Sequence, residues 1–114
     1  MNDVTMTALH NMLRGLSARQ TAIADNIANV ETPGYTAKTV DFETSLREAL
    51  NSGSAPDVNP AISLTDDEAL PNGNNVQIGQ EMVNLQSTNL SYELAIQAMT
   101  SKFSILRTSI TGAP

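Results

Sequence analysis

Asn26-Ile27-Ala28-Asn29-Val30-Glu31-Thr32-Pro33-Gly34-Tyr35 is where a long helical pattern stops. Pro33 fixes its own φ and pushes Thr32 out of the helical region. Gly34 supplies the positive φ needed at the third position of a type II turn. The spacing predicts a helix that ends near Val30, with the chain turning immediately after it.

Upstream of the stop, Met6, Leu9, Leu13, Leu16, Gln20, Ile23, Ile27 and Val30 step by alternating threes and fours, with Gln20 the one polar interruption. That is the seam of a coiled-coil-like helix. The opposite face carries Thr7, Asn11, Arg14, Ala18, Thr21, Asp25 and Asn29, so the helix reads as amphipathic. Asn2 or Asp3 suits its N-cap.

Downstream, Ile78, Met82, Leu85, Asn89, Tyr92, Ile96, Met99, Phe103, Leu106 and Ile110 repeat the alternation, with Asn89 as the single polar member. Asn74 followed by Gln77 resembles a capping box, and Arg107 complements the C-terminal end of the dipole. Such a helix extends roughly 50 Å. It also carries Val83, Leu90, Leu94, Ala98 and Ile105 on a stripe about 180° from the seam. One partner helix cannot cover both stripes, which points to assembly with other molecules.

Between the two patterns, Asp41 to Leu50 predicts a short helix with Phe42, Leu46 and Leu50 on one side and a Glu43 to Arg47 pair. The stretch from Asn51 to Asn75 is rich in Asn, Ser, Gly, Pro and Asp and reads as a long loop, with Ala61-Ile62-Ser63-Leu64 its only hint of a strand. Asn72-Gly73 marks a tight turn. Matched heptads at opposite ends of the chain are what an antiparallel helix pair requires. The fold expectation is therefore all-α: one domain over 1–114, with helices in 1–31 and 76–111 pairing as a coiled-coil-like hairpin around the turn, short helix and loop of 32–75.

At 114 residues the chain is one domain at most, and with only 4% aromatic residues and no Trp its core must be thin and aliphatic. A net charge of −6 opposes binding to nucleic acid phosphates. The absence of Cys rules out disulfides and thiolate metal sites. No basic n-region, apolar h-region or membrane-length apolar run is seen, which by composition alone suggests the cytoplasm.

His10, the only histidine, has no serine, cysteine or carboxylate in a catalytic spacing around it and reads as solvent-facing or as an interface residue. Asp66-Asp67-Glu68 lacks the EF-hand spacing and reads as a solvated loop. With no phosphate-binding loop, zinc spacing or nucleophile elbow, an enzyme has no positive support, and no cofactor, metal or small-molecule substrate is implied.

The run from Asn26 to Tyr35 resembles the N-terminal signature of the bacterial flagellar axial proteins, the rod, hook and hook-associated subunits. Its continuation through Asp41 and Phe42, with Gly73-Asn74-Asn75-Val76 and the short length, is similar to the proximal-rod, or B-type, members of the flagellar basal-body rod family. Gln77 and Gly79 depart from the acidic residues usual after Val76 in that family.

The resemblance implies a structural subunit whose signature residues are Asn26, Asn29, Thr32, Pro33, Gly34 and Tyr35. It also implies helical polymerisation into a torque-transmitting rod around the export channel, in the periplasm. Export through the flagellar type III apparatus without cleavage comes with it. Implied partners are copies of itself, other rod proteins, the membrane ring, its adaptor and the export apparatus. Leu9 with Leu13, or Met12 with Leu16, offer an apolar pair for an export signal. Apart from the resemblance, another export-system rod or adaptor subunit, or a small helical cytoplasmic interaction module, fits the residues as well.

Overall fold

The computed structural model describes residues 3–53 and 59–111. Two helices dominate it: α1, Asp3–Ala28, and the final helix, Ile78–Thr111. Between them come β1, Lys38–Asp41, then α2, Glu43–Asn51, and β2, Ala61–Leu64, so the final helix is α3. The long helices pack side by side in opposite directions, since Asn26 meets Glu81 while the earlier Gln20 meets the later Asn89. The molecule is elongated, 64 × 27 × 14 Å, because nothing else approaches the length of the 34-residue α3.

α1 ends at Ala28, two residues short of Val30, and its exit tightens. Val30 N–H donates to Ile27 O at 3.3 Å and Thr32 N–H to Asn29 O at 3.0 Å, the shorter loops of a terminal turn. The expected cap at Asn2 lies outside the described residues, and α1 already includes Asp3.

The all-α expectation is corrected by a two-stranded antiparallel ladder running from Lys38↔Leu64 to Asp41↔Ala61. Thr39 and Val40 are β-branched, but four residues make a strand only once a partner is present. Ala61 to Leu64, read as a hint of strand inside a loop, supplies that partner. α2 starts at Glu43, with Phe42 at its N-cap position. Its covered side is Leu46 and Ala49, whereas Leu50 is exposed.

The core gathers Leu16 and Ala22 of α1, Val40, Phe42, Leu46 and Ala95, with Met12, Leu13 and Tyr92 partly buried against it. It sits where β1 and α2 cross α1. That crossing overturns the reading of Asn11 as part of a solvated face, because Asn11 is 1% exposed. α1 is enclosed on two sides, by α3 on one and by β1 and α2 on the other.

The contact face of α3 also departs from the expected seam. Glu81, Thr88 and Ala95 are buried at steps of seven, with Leu85 and Tyr92 half-buried between them and Met99 and Leu106 half-buried beyond. Met82, Ile96 and Phe103 are instead exposed, at 47%, 42% and 52%. The inward face is thus rotated by one residue at alternate positions. The small side chains of Thr88 and Ala95 let the helices approach, and Glu81 is held by Asn26.

Candidate assembly site

Three asparagines join the signature turn to both helices. Asn26, fully buried, accepts from Lys38 N–H at 2.8 Å and donates to Lys38 O at 2.8 Å, so its amide pairs with β1 as a neighbouring strand would. The same amide donates to Glu81 Oε2 at 3.1 Å and accepts from the Tyr35 hydroxyl at 3.3 Å. One side chain on α1 therefore fixes β1, Tyr35 and the first turns of α3 together.

Asn74 is also fully buried, and it corrects the expected reciprocal cap with Gln77. Its amide donates to Asn29 O and Thr32 O, both at 2.8 Å, which gives each of these turn carbonyls a second donor beside the backbone N–H of Thr32 and of Tyr35. Its oxygen accepts from Val76 N–H at 2.8 Å. Asn75 accepts from Ala37 N–H at 2.7 Å and donates to Thr65 Oγ1 at 2.8 Å, tying the start of β1 to the end of β2. In the sequence Asn74 reads as a cap and Asn75 as the end of a loop, and only tertiary contact shows what each amide serves.

The turn itself follows Pro33 and Gly34. Tyr35 N–H donates to Thr32 O at 3.2 Å, and Gly34 has φ +75°, the sign a type II turn demands. Gly73, at φ +87°, packs against it, and Gly34 N–H donates to Asn72 O at 2.9 Å. Thr32, Pro33 and Gly34 are exposed, while Asn29 and Tyr35 are half-buried.

A second node centres on Phe42, which lies on Gly15 of α1. The Arg19 guanidinium sits 5.0 Å from the ring centroid and donates to Val40 O at 2.6 Å. Arg19 also forms a two-armed pair with Glu43, at 2.8 and 2.6 Å. Glu43 therefore pairs across elements, not with Arg47 as its spacing suggested. The Arg19 hydrogen bond holds the Glu43 carboxyl below its ordinary range, against the opposing effect of burial. The signal for this node was Gly15, a costly residue inside a helix unless something must come close.

Of the apolar residues expected along the helix-pair seam, Leu16 and Ile23 are buried, Met6, Leu9, Leu13, Ile27, Val30, Leu85, Tyr92, Met99 and Leu106 are half-buried, and Ile78, Met82, Ile96, Phe103 and Ile110 are exposed. Val83, Leu90, Leu94 and Ile105 are all exposed. α3 thus presents two bare apolar stripes, one through Met82, Ile96 and Phe103 and one through Val83, Leu90, Leu94 and Ile105. At 100° per residue they lie roughly 100–160° apart. Among the described residues, no large apolar side chain of α1 is exposed.

Away from the long helices, Leu50, Ile62, Leu64 and Leu70 are exposed as well. A cleft of about 430 Å³ between β1 and α3 is lined by Lys38, Glu43, Gln77, Gln80, Asn84 and Ser87, among others. His10 is exposed on α1, as are Asp66, Asp67 and Glu68. The described residues contain no group of three His, Cys, Asp or Glu able to hold a metal ion, and no helix long and apolar enough to cross a membrane.

The family model described as "Flagella basal body rod protein" matches residues 6–36, the span from the first seam through the signature turn. A Bacillus subtilis protein named flagellar basal body rod protein FlgB is 35% identical, over 95% of this chain and 94% of its own length. The protein of the same name from Borrelia hermsii is 34% identical over 81% of this chain and 84% of itself. Its Escherichia coli namesake is 25% identical over 88% of each.

Proposed function

We propose, from the premise that the chain belongs to the flagellar basal body rod protein family, that it builds the proximal rod chiefly through the two bare stripes of α3. Membership makes the chain a structural subunit of the basal body rod and not an enzyme. The observation that supports the finer reading is the exposure of two apolar stripes on one helix whose third side is already occupied by α1.

Stripes on different sides of one helix cannot be covered by one neighbour. Two unlike contacts per subunit propagate head to tail, which gives an open helical array in place of a closed dimer when the rotation between neighbours does not close a ring. A coiled-coil-like antiparallel pair of α1 and α3 is then the repeating unit of the rod wall, around the export channel and transmitting torque. Its neighbours are further copies, other rod proteins and the membrane-ring, adaptor and export components. Its place is the periplasmic basal body, reached without a cleaved leader. A signal at Leu9 with Leu13, or Met12 with Leu16, is most accessible to the export machinery before folding, because Leu16 is buried and Leu9, Met12 and Leu13 are half-buried in the folded chain.

Leu90→Asp tests this reading. The residue is 59% exposed in the single chain, so the subunit folds, while a carboxylate enters each subunit contact. Thr21→Asp, on the exposed side of α1, serves as the control. Basal bodies purified from the Leu90→Asp strain are expected to lack rods while those from the control are complete. Complete rods in both strains would remove this stripe from the assembly surface.

A further inference from the structure

The two edges of the small ladder differ. Thr65 N–H donates to Ala37 O at 2.8 Å, which sets the phase of the pairing. In an antiparallel ladder alternate pairs exchange bonds, so Thr39↔Ser63 and Asp41↔Ala61 face inward, and Lys38, Val40, Ile62 and Leu64 turn their backbone groups outward. On the β1 side three of the four outward groups are satisfied, Lys38 N–H and C=O by the Asn26 amide and Val40 O by Arg19. On the β2 side the outward N–H and C=O groups of Ile62 and Leu64 have no hydrogen-bond partner among the described residues.

Edge strands usually carry a Lys, a Pro or a bulge that blocks further pairing. Pro60 stands just before the strand, but Ala61-Ile62-Ser63-Leu64 itself carries none, and Ile62 and Leu64 are 64% and 66% exposed. Carboxylates flank the ladder at both ends, while Lys38 of β1, opposite Leu64, is paired with Asp25 at 3.2 Å. Asp41 pairs with Ala61 at one end, and Asp66, Asp67 and Glu68 follow Leu64 at the other, all exposed.

We propose that β2 is a docking edge for an extended segment of a partner protein, an alternating apolar strand with basic residues at its ends. The unpaired backbone groups call for another backbone, the mode in which a peptide adds a strand to a sheet. The flanking acids select its charge. They also disfavour a second copy of this chain. Laid antiparallel, a second β2 brings its Asp66–Glu68 against Asp41, and laid parallel it sets the two acidic triplets side by side.

Amide hydrogen exchange on the full chain tests the proposal, with two short synthetic peptides of alternating Val and Thr as probes, one ended by Lys and one by Glu. At about ten times its Kd, the Lys-ended peptide is expected to slow exchange at Ile62 and Leu64 about tenfold. Added salt should weaken the effect, and the Glu-ended peptide should have none. Ile62→Pro removes only an outward donor, so the ladder bonds remain and protection at Leu64 is lost, whereas Ile62→Thr retains it. The comparison of the two peptides needs no substitution and stands even if proline disturbs the strand. Equal protection by both peptides, none by either, or protection that survives Ile62→Pro overturns the proposal. So does finding these amides already protected in the concentrated chain alone, which would place a second copy on the edge.

Discussion

Gln20 Nε2 donates to Asn89 Oδ1 at 2.7 Å, so the polar interruptions of two otherwise apolar seams meet each other. The bond crosses the solvent-exposed rim of the helix pair and holds residue 20 of α1 opposite residue 89 of α3. Gln20 and Asn89 thereby align α1 with α3 along their length.

The cost of breaking that pair is small because it is accessible to water. Gln20→Ala and Asn89→Ala should each destabilise the chain by about 0.5–1.5 kcal/mol. A double-mutant cycle by urea denaturation should show them coupled, the second substitution costing less once the first is made. Full additivity would mean the bond does not set the alignment.

Asn26 should tolerate no replacement. Asn26→Ala leaves Lys38 N–H and C=O without partners in a buried site, a loss of about 2–4 kcal/mol. Asn26→Asp keeps the acceptor but cannot donate, and it sets a carboxylate against Glu81. Its deficit should be larger at neutral than at acid pH, as thermal denaturation across pH would show.

Gly15→Ala should cost about 1–3 kcal/mol, because the new methyl falls within the Phe42 ring at its near, immobile end. Phe42→Leu in the same chain should recover part of that loss while destabilising the wild-type background. Equilibrium denaturation of the two single variants and the double variant checks this.

Gly34 and Gly73 both need the left-handed region, where an L side chain costs about 1–2 kcal/mol. A methyl on Gly34 meets nothing nearby, whereas one on Gly73 lies 3.1 Å from Gly34 Cα, so Gly73→Ala should be the more destabilising. Gly34→Val should impair rod assembly more than secretion, since the turn matters only in the folded subunit. Parallel assays of secreted protein and of purified basal bodies separate the two effects.

Glu43 gives the fold an acid-sensitive contact. Its folded pKa is lowered by Arg19, so its contribution is present above its ordinary value of 4.5 and fades as pH falls through the lower folded value. Because the pair is largely exposed, the effect should be under about 1 kcal/mol. Glu43→Gln should remove that part of the acid dependence, visible as a flatter denaturation midpoint below pH 4.5.

The two long helices and the turn between them were legible because each rests on local chemistry: a repeat of threes and fours, a proline that stops a helix, a glycine that permits positive φ. The bare stripe through Val83, Leu90, Leu94 and Ile105 was legible for the same reason, since helical spacing alone separates it from the seam. Tertiary structure decided which residues face inward. β1 and α2 fold across α1, so Asn11, read as solvated, is buried, and Gly15 becomes the seat of Phe42. α3 turns so that Thr88 and Ala95, not Met82 and Ile96, meet α1. Periodicity shows that a helix has an apolar side, but the rotation that is finally adopted depends on side-chain size and on buried amides such as Asn26, whose partners lie far away in the chain.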